Sequence, residues 1–195
     1  MKEDILEQLV DDYLQSQGYF TRHNIKFRPR QSHPDFNTKQ DSSHSDIDII
    51  GVSPMQRGVK RVIVVSCKSW QSGFHVNAKL DEIRNNKIRS GRESWKAFRE
   101  LVQPKWSEAF ISAIETATGT TKFTYVTAVT WVKGDRSLWE SNNKFRNALR
   151  KNPIRILTIA DMVQKLLPDL STTLVGSQLG RTLQLLKASG ATISW

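Results

Sequence analysis

The chain has 195 residues, 38% of them hydrophobic and 25% charged, which is length and apolar content for one globular domain with a real core. No apolar run approaches the ~18 residues of a membrane-spanning helix, and the single cysteine, Cys67, excludes an internal disulfide and an all-cysteine zinc site. The net charge of +10 is uneven: residues 1 to 50 hold 6 basic and 9 acidic side chains, residues 51 to 100 hold 11 and 4.

A basic field of this kind points to a polyanion partner, most simply nucleic acid, against the alternative of a merely soluble basic protein. The lone cysteine and an acidic, amphipathic N-terminal stretch without a basic start or apolar segment fit a cytoplasmic protein.

Taken in chain order, Ile5, Leu6, Leu9, Val10, Tyr13 and Leu14 recur at helical spacing, with Gly18 as the stop. "GYFTRHNIKFRP" reads as a strand ending at Pro29. Residues 30 to 45 are polar and nearly free of aliphatics, a loop long enough to be mobile or functional. Ile47, Ile49, Ile50 and Val52 mark a strand with Gly51 inside it, and "SPMQRG" turns the chain into "RVIVVSC", the pattern of a central strand covered on both faces. A helix follows on Val76, Leu80 and Ile83, its charged side running on through Lys87, Arg89 and Arg92 to a break near Ser90 and Gly91. Trp95 to Val102 and Trp106 to Ile114 continue helically as far as Gly119. "KFTYVTAVTWV" is a strong strand, residues 138 to 150 a helix, "IRILTI" a short strand, and "ADMVQKLL" a helix stopped by Pro168. Residues 171 to 177 read as irregular, and "SQLGRTLQLLKASG" as a last helix. Hairpin-connected strands mixed with helical crossovers predict a three-layer α/β/α sandwich around a mixed sheet.

Charges stand at the ends of two of these strands. Alternation places Asp46, Asp48 and Ile50 on one face of their strand, and Val64, Ser66 and Lys68 on one face of the next. A short turn makes the two strands neighbours, so Asp46, Asp48, Ser66 and Lys68 converge. Carboxylates beside a lysine suit Mg²⁺ (with Mn²⁺ as a substitute), which takes one or two carboxylates and keeps its waters for a phosphate substrate. The lysine can orient the attacking water or offset charge building on phosphorus. The plainer alternative is an Asp48–Lys68 ion pair in an α/β interaction protein.

The pattern "DII", a turn, and an apolar strand ending "SCK" resembles the PD-(D/E)xK nucleases, which share the restriction-endonuclease-like fold. The first helix, "EQLVDDYLQSQGYFTRHN", resembles theirs too. The resemblance implies a metal-dependent nuclease domain over residues 1–170, with Asp48 as the central metal ligand, Lys68 as the catalytic lysine and Glu7 as an accessory metal-assisting acid. Asp46 becomes a further metal candidate. Residues 171–195 form a helical extension that packs on the same domain or on a second subunit, and a homodimer is one route to cutting both strands.

Ser66 departs from that family, because it occupies the position of the acid in the acid-x-lysine element. Three explanations stay open: an acid relocated to the next helix, with Asp81 or Glu82 as candidates; a metal held by Asp46, Asp48 and Glu7 alone; or a domain that binds nucleic acid without cleaving it. Glu82 is otherwise a solvated helix acid paired one turn away. Gln71 can position a water or a phosphate, or be a plain loop residue. Arg28, Arg30, Lys79, Arg84 and Lys87 are candidate phosphate contacts for DNA, of the kind that carry affinity without sequence preference.

Overall fold

The computed structural model describes residues 4–89, 91–170 and 177–190. Five strands form the central sheet: β1 (Phe20–Phe27), β2 (Ser45–Val52), β3 (Val62–Lys68), β7 (Thr124–Val129) and β9 (Ile154–Thr158), in the order β1-β2-β3-β7-β9. β2 runs antiparallel to both β1 and β3, while β3, β7 and β9 are parallel. Between them lie short pairings: β4 (Phe74–His75) with β8 (Val132–Lys133), and β5 (Ile88–Arg89) with β6 (Arg92–Glu93). The helices are α1 (Ile5–Ser16), α2 (Thr38–Asp41), α3 (Val76–Arg84), α4 (Arg99–Val102), α5 (Pro104–Thr118), α6 (Ser137–Glu140), α7 (Asn143–Ala148), α8 (Ile159–Asp169) and α9 (Gln178–Ala188).

The chain is therefore α/β with a mixed sheet between two helical layers. Leu6, Leu9, Val10 and Leu14 of α1 pack with Met162, Val163 and Leu166 of α8 and Leu183 of α9 on one face, against Ile49, Val65 and Val126. The aromatic face of α5 (Trp106, Phe110) and the residues of α3, α4, α6 and α7 cover the other, against Ile50, Val64 and Tyr125. Every residue of β7 is buried, as a strand covered on both faces requires. Gly51 lets α1 approach β2, since a Cβ there would stand 3.2 Å from Tyr19 Cβ and 3.3 Å from Leu14 Cδ1. No helix among the described residues is long and apolar enough to cross a membrane.

Several local expectations change. Alternation in β2 breaks at Asp48: Ile47 and Ile50 belong to the α5-side core and Ile49 to the α1-side core. Asp46, Asp48 and Ile50 therefore do not share one regular face. The break faces Asn24 of β1, whose φ of 54° is left-handed. His23 pairs with Ile49 and Ile25 with Ile47, and between them Asn24 and Asp48 do not pair. Asparagine is among the few side chains that tolerate this backbone region. Ile88–Arg89 and Arg92–Glu93 pair antiparallel as β5 and β6 instead of extending a helix, and the break expected near Ser90 lies partly outside the described residues. Residues 138 to 150 divide into α6 and α7 because Asn142 caps the second, accepting from the N–H of Lys144 and Phe145. Helix α8 continues through Pro168 to Asp169, and Lys187 Nζ donates to the carbonyls of Leu167 and Pro168 in that last turn. The irregular stretch expected at 171 to 177 falls outside the described residues except for Ser177, whose hydroxyl donates to Asp12 and caps α9.

The polar loop before β2 is anchored, not loose. Asp41 is 1% exposed and accepts from Lys105 Nζ at 2.6 Å, Trp106 Nε1 at 3.1 Å and Asn37 N at 2.7 Å. Lys105 also donates to the Asp35 carbonyl at 2.9 Å. Burial works against the Asp41 charge, yet the lysine and these hydrogen bonds hold its carboxyl below the usual range. Asp41→Ala strands Lys105 in the interior and is expected to cost about 3–5 kcal/mol in urea unfolding, the cost of breaking a buried pair from one side; a loss under 1 kcal/mol would show that the loop is held by something else.

Candidate active site

The site forms where β2 and β3 part. Their ladder runs from Val52–Val62 to Ile49–Val65 and stops there. One residue further on, Asp48 turns its carboxylate across the gap and accepts the N–H of Cys67 at 2.6 Å. A side chain thus takes the hydrogen bond that the neighbouring strand would otherwise supply, and it fixes Asp48 at the mouth of the opening.

Past that point Ser66 and Lys68 project to the α4–α5 side. Lys68 Nζ donates to Ser66 Oγ at 2.8 Å and lies 5.6 Å from the centre of the Phe98 ring. Together with Asp46, Asp48, His44, Lys96 and Glu100, they line a pocket of about 290 Å³. Glu100, on α4, is the residue that the sequence reading missed. It is buried, accepts from Tyr125 Oη at 2.5 Å, and is close enough to feel the charges of both Lys68 and Asp48. Tyr125 also stands close to Ser66, so the tyrosine lies between strand hydroxyl and helix carboxylate. A carboxylate therefore does stand beside Lys68, carried by α4 and not by β3.

Glu7 approaches Asp48 from the other layer. Cys67, whose side chain points to that layer, feels both acids. Asp4 caps α1 by accepting from Leu6 N, and its second oxygen accepts from Ser69 Oγ at 2.7 Å, tying the helix to the segment after β3. Asp46 lies exposed on the pocket rim.

The other candidates lie elsewhere. Glu82 is neither solvated nor at the site: it is 5% exposed and bonded to Lys79 Nζ at 2.8 Å and Arg89 Nε at 2.9 Å. Burial raises its pKa and those two cations more than reverse it. Asp81 pairs with Lys87 at 2.6 Å. Gln71 sits on an exposed turn, its backbone carbonyl accepting from Trp131 Nε1 at 3.3 Å. Lys79 and Lys87 are thus engaged with acids, and Arg84 lines a separate groove between α3, α5 and α7. Arg28 and Arg30 line a groove of about 800 Å³ together with Arg22 and Lys26. These four are exposed and form no ion pair among the described residues. His44 borders both this groove and the Asp48 pocket, so the two adjoin there.

Charge in the site is unbalanced. Burial raises the Asp48 carboxyl, and Asp46 and Asp4 push the same way against Lys68 and the Cys67 N–H. Glu7 is raised by burial and then by Asp48 and Asp4. Glu100 is raised by burial, with Asp48 adding and with Lys68 and Tyr125 opposing. Three acids thus share one lysine, an arrangement that an added cation would relieve. Hard oxygen donors on Asp48 and Glu100, facing a polar pocket, suit a Mg²⁺ ion that retains its waters. No three His, Cys, Asp or Glu side chains among the described residues already stand at metal-holding spacing, so such an ion would rest on fewer protein ligands or draw the acids inward. The chain matches no protein-family model, no curated protein and no solved structure.

Two outcomes follow. A raised carboxyl pKa contributes stability at low pH that is lost as pH climbs through the folded value, starting from the ordinary 3.8 for Asp48 and 4.5 for Glu100. Asp48→Asn and Glu100→Gln keep an acceptor oxygen and drop the charge, so their Tm relative to the unsubstituted protein, without metal, should rise from pH 4 to pH 7; a constant difference across that range contradicts the charge imbalance. At Asn24, glycine accepts the left-handed backbone and should be near neutral. Asn24→Val should cost about 1–3 kcal/mol in chemical denaturation, and equal stability of the two variants would remove the strain from the account.

Proposed function

We propose that this chain is a metal-dependent nuclease of restriction-endonuclease-like fold that hydrolyses DNA phosphodiester bonds in the cytoplasm. The observation that carries the reading is the gathering of Asp48, Glu100 and Lys68 on one polar pocket, which adjoins at His44 a groove bearing the unpaired Arg22, Lys26, Arg28 and Arg30. The mixed sheet, with α1 on one face and α5 on the other, supports the fold assignment.

Arg22, Lys26, Arg28 and Arg30 would hold the phosphate backbone and direct it past His44 into the pocket. Asp48 and Glu100 would hold Mg²⁺, with Glu7 and Asp46 as outer acids; when bound, the ion supplies a polarised phosphate and a more acidic water. Lys68, steadied by Ser66 and Phe98, is placed to orient the attacking water and to donate to the phosphoryl oxygen on which negative charge builds. Tyr125 holds the Glu100 carboxylate in place. One chain has one such site, so cutting both strands together calls for a homodimer.

A second reading, a domain that binds nucleic acid without cutting it, draws on the lack of a ready three-ligand cluster among the described residues. Nicking of supercoiled plasmid with Mg²⁺ or Mn²⁺ separates the two. Cleavage is expected to fall about 100-fold or more in Asp48→Asn, Lys68→Ala and Glu100→Gln and to persist in Gln71→Ala. Salt-sensitive binding with no cleavage on plasmid or single strands would establish the second reading. Cutting that survives both Asp48→Asn and Lys68→Ala would place the chemistry elsewhere.

A further inference from the structure

Trp131 is 44% exposed, yet it is tightly held. Its carbonyl accepts from Phe74 N at 2.8 Å and its Nε1 donates to the Gln71 carbonyl at 3.3 Å. The indole lies flush on the backbone of Gly73, where a Cβ would stand 2.2 Å from Cε2. Gly73 also has φ +75°, so both the ring contact and the turn require glycine. His75 flanks the ring with centroids 5.3 Å apart. An exposed side chain with its polar atom satisfied and its rotamer fixed has already lost the conformational entropy that stacking would otherwise cost.

Its place in the fold is as telling. Lys68 is the register partner of Val129, on neighbouring parallel strands about 5 Å apart. Trp131 lies two residues past Val129, which extended chain limits to about 7 Å. Thr130 Oγ1, between them, donates to the Trp70 carbonyl at 2.6 Å and binds the two strand ends together. The tryptophan therefore stands at the same end of the sheet as Lys68, one short step beyond it. Residues 70 to 78 and 130 to 134, the two segments that meet at the ring, contain Lys133, which forms no ion pair among the described residues, and no acid. That setting favours an anionic partner over an apolar protein segment.

We propose that Trp131 is a stacking platform for an unpaired base of the nucleic acid whose phosphate lies at Asp48 and Lys68, an inference that rests on the nuclease reading above. The bases of a continuous duplex have both faces covered by neighbours, so a single free ring selects a single strand, a flap or a splayed end. The site would then act at junctions between paired and unpaired nucleic acid, with the basic groove taking the backbone and Trp131 the free base.

The test is fluorescence anisotropy of a labelled oligothymidine and of a blunt duplex of equal length, at fixed salt without added metal. Trp131→Leu is expected to weaken single-strand binding roughly tenfold, Trp131→Phe to keep most of it, and duplex binding and the salt slope of both to stay unchanged. In parallel, ultraviolet cross-linking of an oligonucleotide containing 5-iodouracil to the unsubstituted protein should map to the peptide bearing Trp131, a readout independent of how the variants fold. Equal single-strand affinity of the leucine variant, an equal loss on single strand and duplex, or a cross-link mapped elsewhere overturns the platform. Failure of the unsubstituted protein to bind either oligonucleotide overturns the nucleic-acid reading with it.

Discussion

The arrangement of this protein turns on one hydrogen bond, from the Cys67 N–H to the Asp48 carboxylate. Two antiparallel strands that separate must leave backbone groups without partners, and a buried N–H left alone costs as much as a lost bond or more. Asp48 removes that cost and in doing so is committed to the gap. The carboxylate sits where β2 and β3 diverge, Lys68 and Ser66 open toward α4, and Glu7 closes from α1. The left-handed Asn24 and the broken alternation at Asp48 belong to the same feature, because a β2 of regular pleat would carry Ile47 to the face of Ile49 and strip the α5-side core of a large aliphatic.

The contrast with the other buried acids is instructive. Asp41 and Glu82 are as little exposed to solvent as Glu100 but less deeply enclosed by protein, and each is matched by a cation within hydrogen-bond distance, so each carboxyl is held below its ordinary pKa. Asp48, Glu7 and Glu100 are shifted the other way. The fold can balance a buried carboxylate and does so twice in its scaffold; at the β2–β3 opening it leaves the balance incomplete. Groups displaced in this direction inside a cleft mark sites built for something other than stability.

Much of this was legible in the sequence because sheets advertise themselves. The β-branched run of β3, the apolar positions of β2 and the fully buried β7 name three central strands, and the aspartate and lysine at their ends name the opening. Glu100 was not legible, for a geometric reason. On a helix through Phe98, Leu101 and Val102 it falls on the side away from the apolar stripe, the side that ordinarily meets water. Helix α4 is a single turn wedged against the sheet, so its nominal outer side meets Tyr125 and Lys68 instead. The anchoring of the loop by Asp41 was hidden likewise, since its partners Lys105 and Trp106 lie more than 60 residues away.

Ser66 then acquires a physical explanation. Strand β3 and helix α4 face the same pocket beside Lys68, and the carboxylate there is that of Glu100, hydrogen-bonded by Tyr125. A glutamate or aspartate at 66 would bring a second negative charge to within reach of Glu100 and Asp48, in a site where three acids already share one lysine. A serine at 66 avoids the repulsion, gives Lys68 Nζ an acceptor at 2.8 Å, and leaves Tyr125 free to bridge to the helix. The hydroxyl on the strand and the acid on the helix are therefore two halves of one solution: each makes sense only because the other is there.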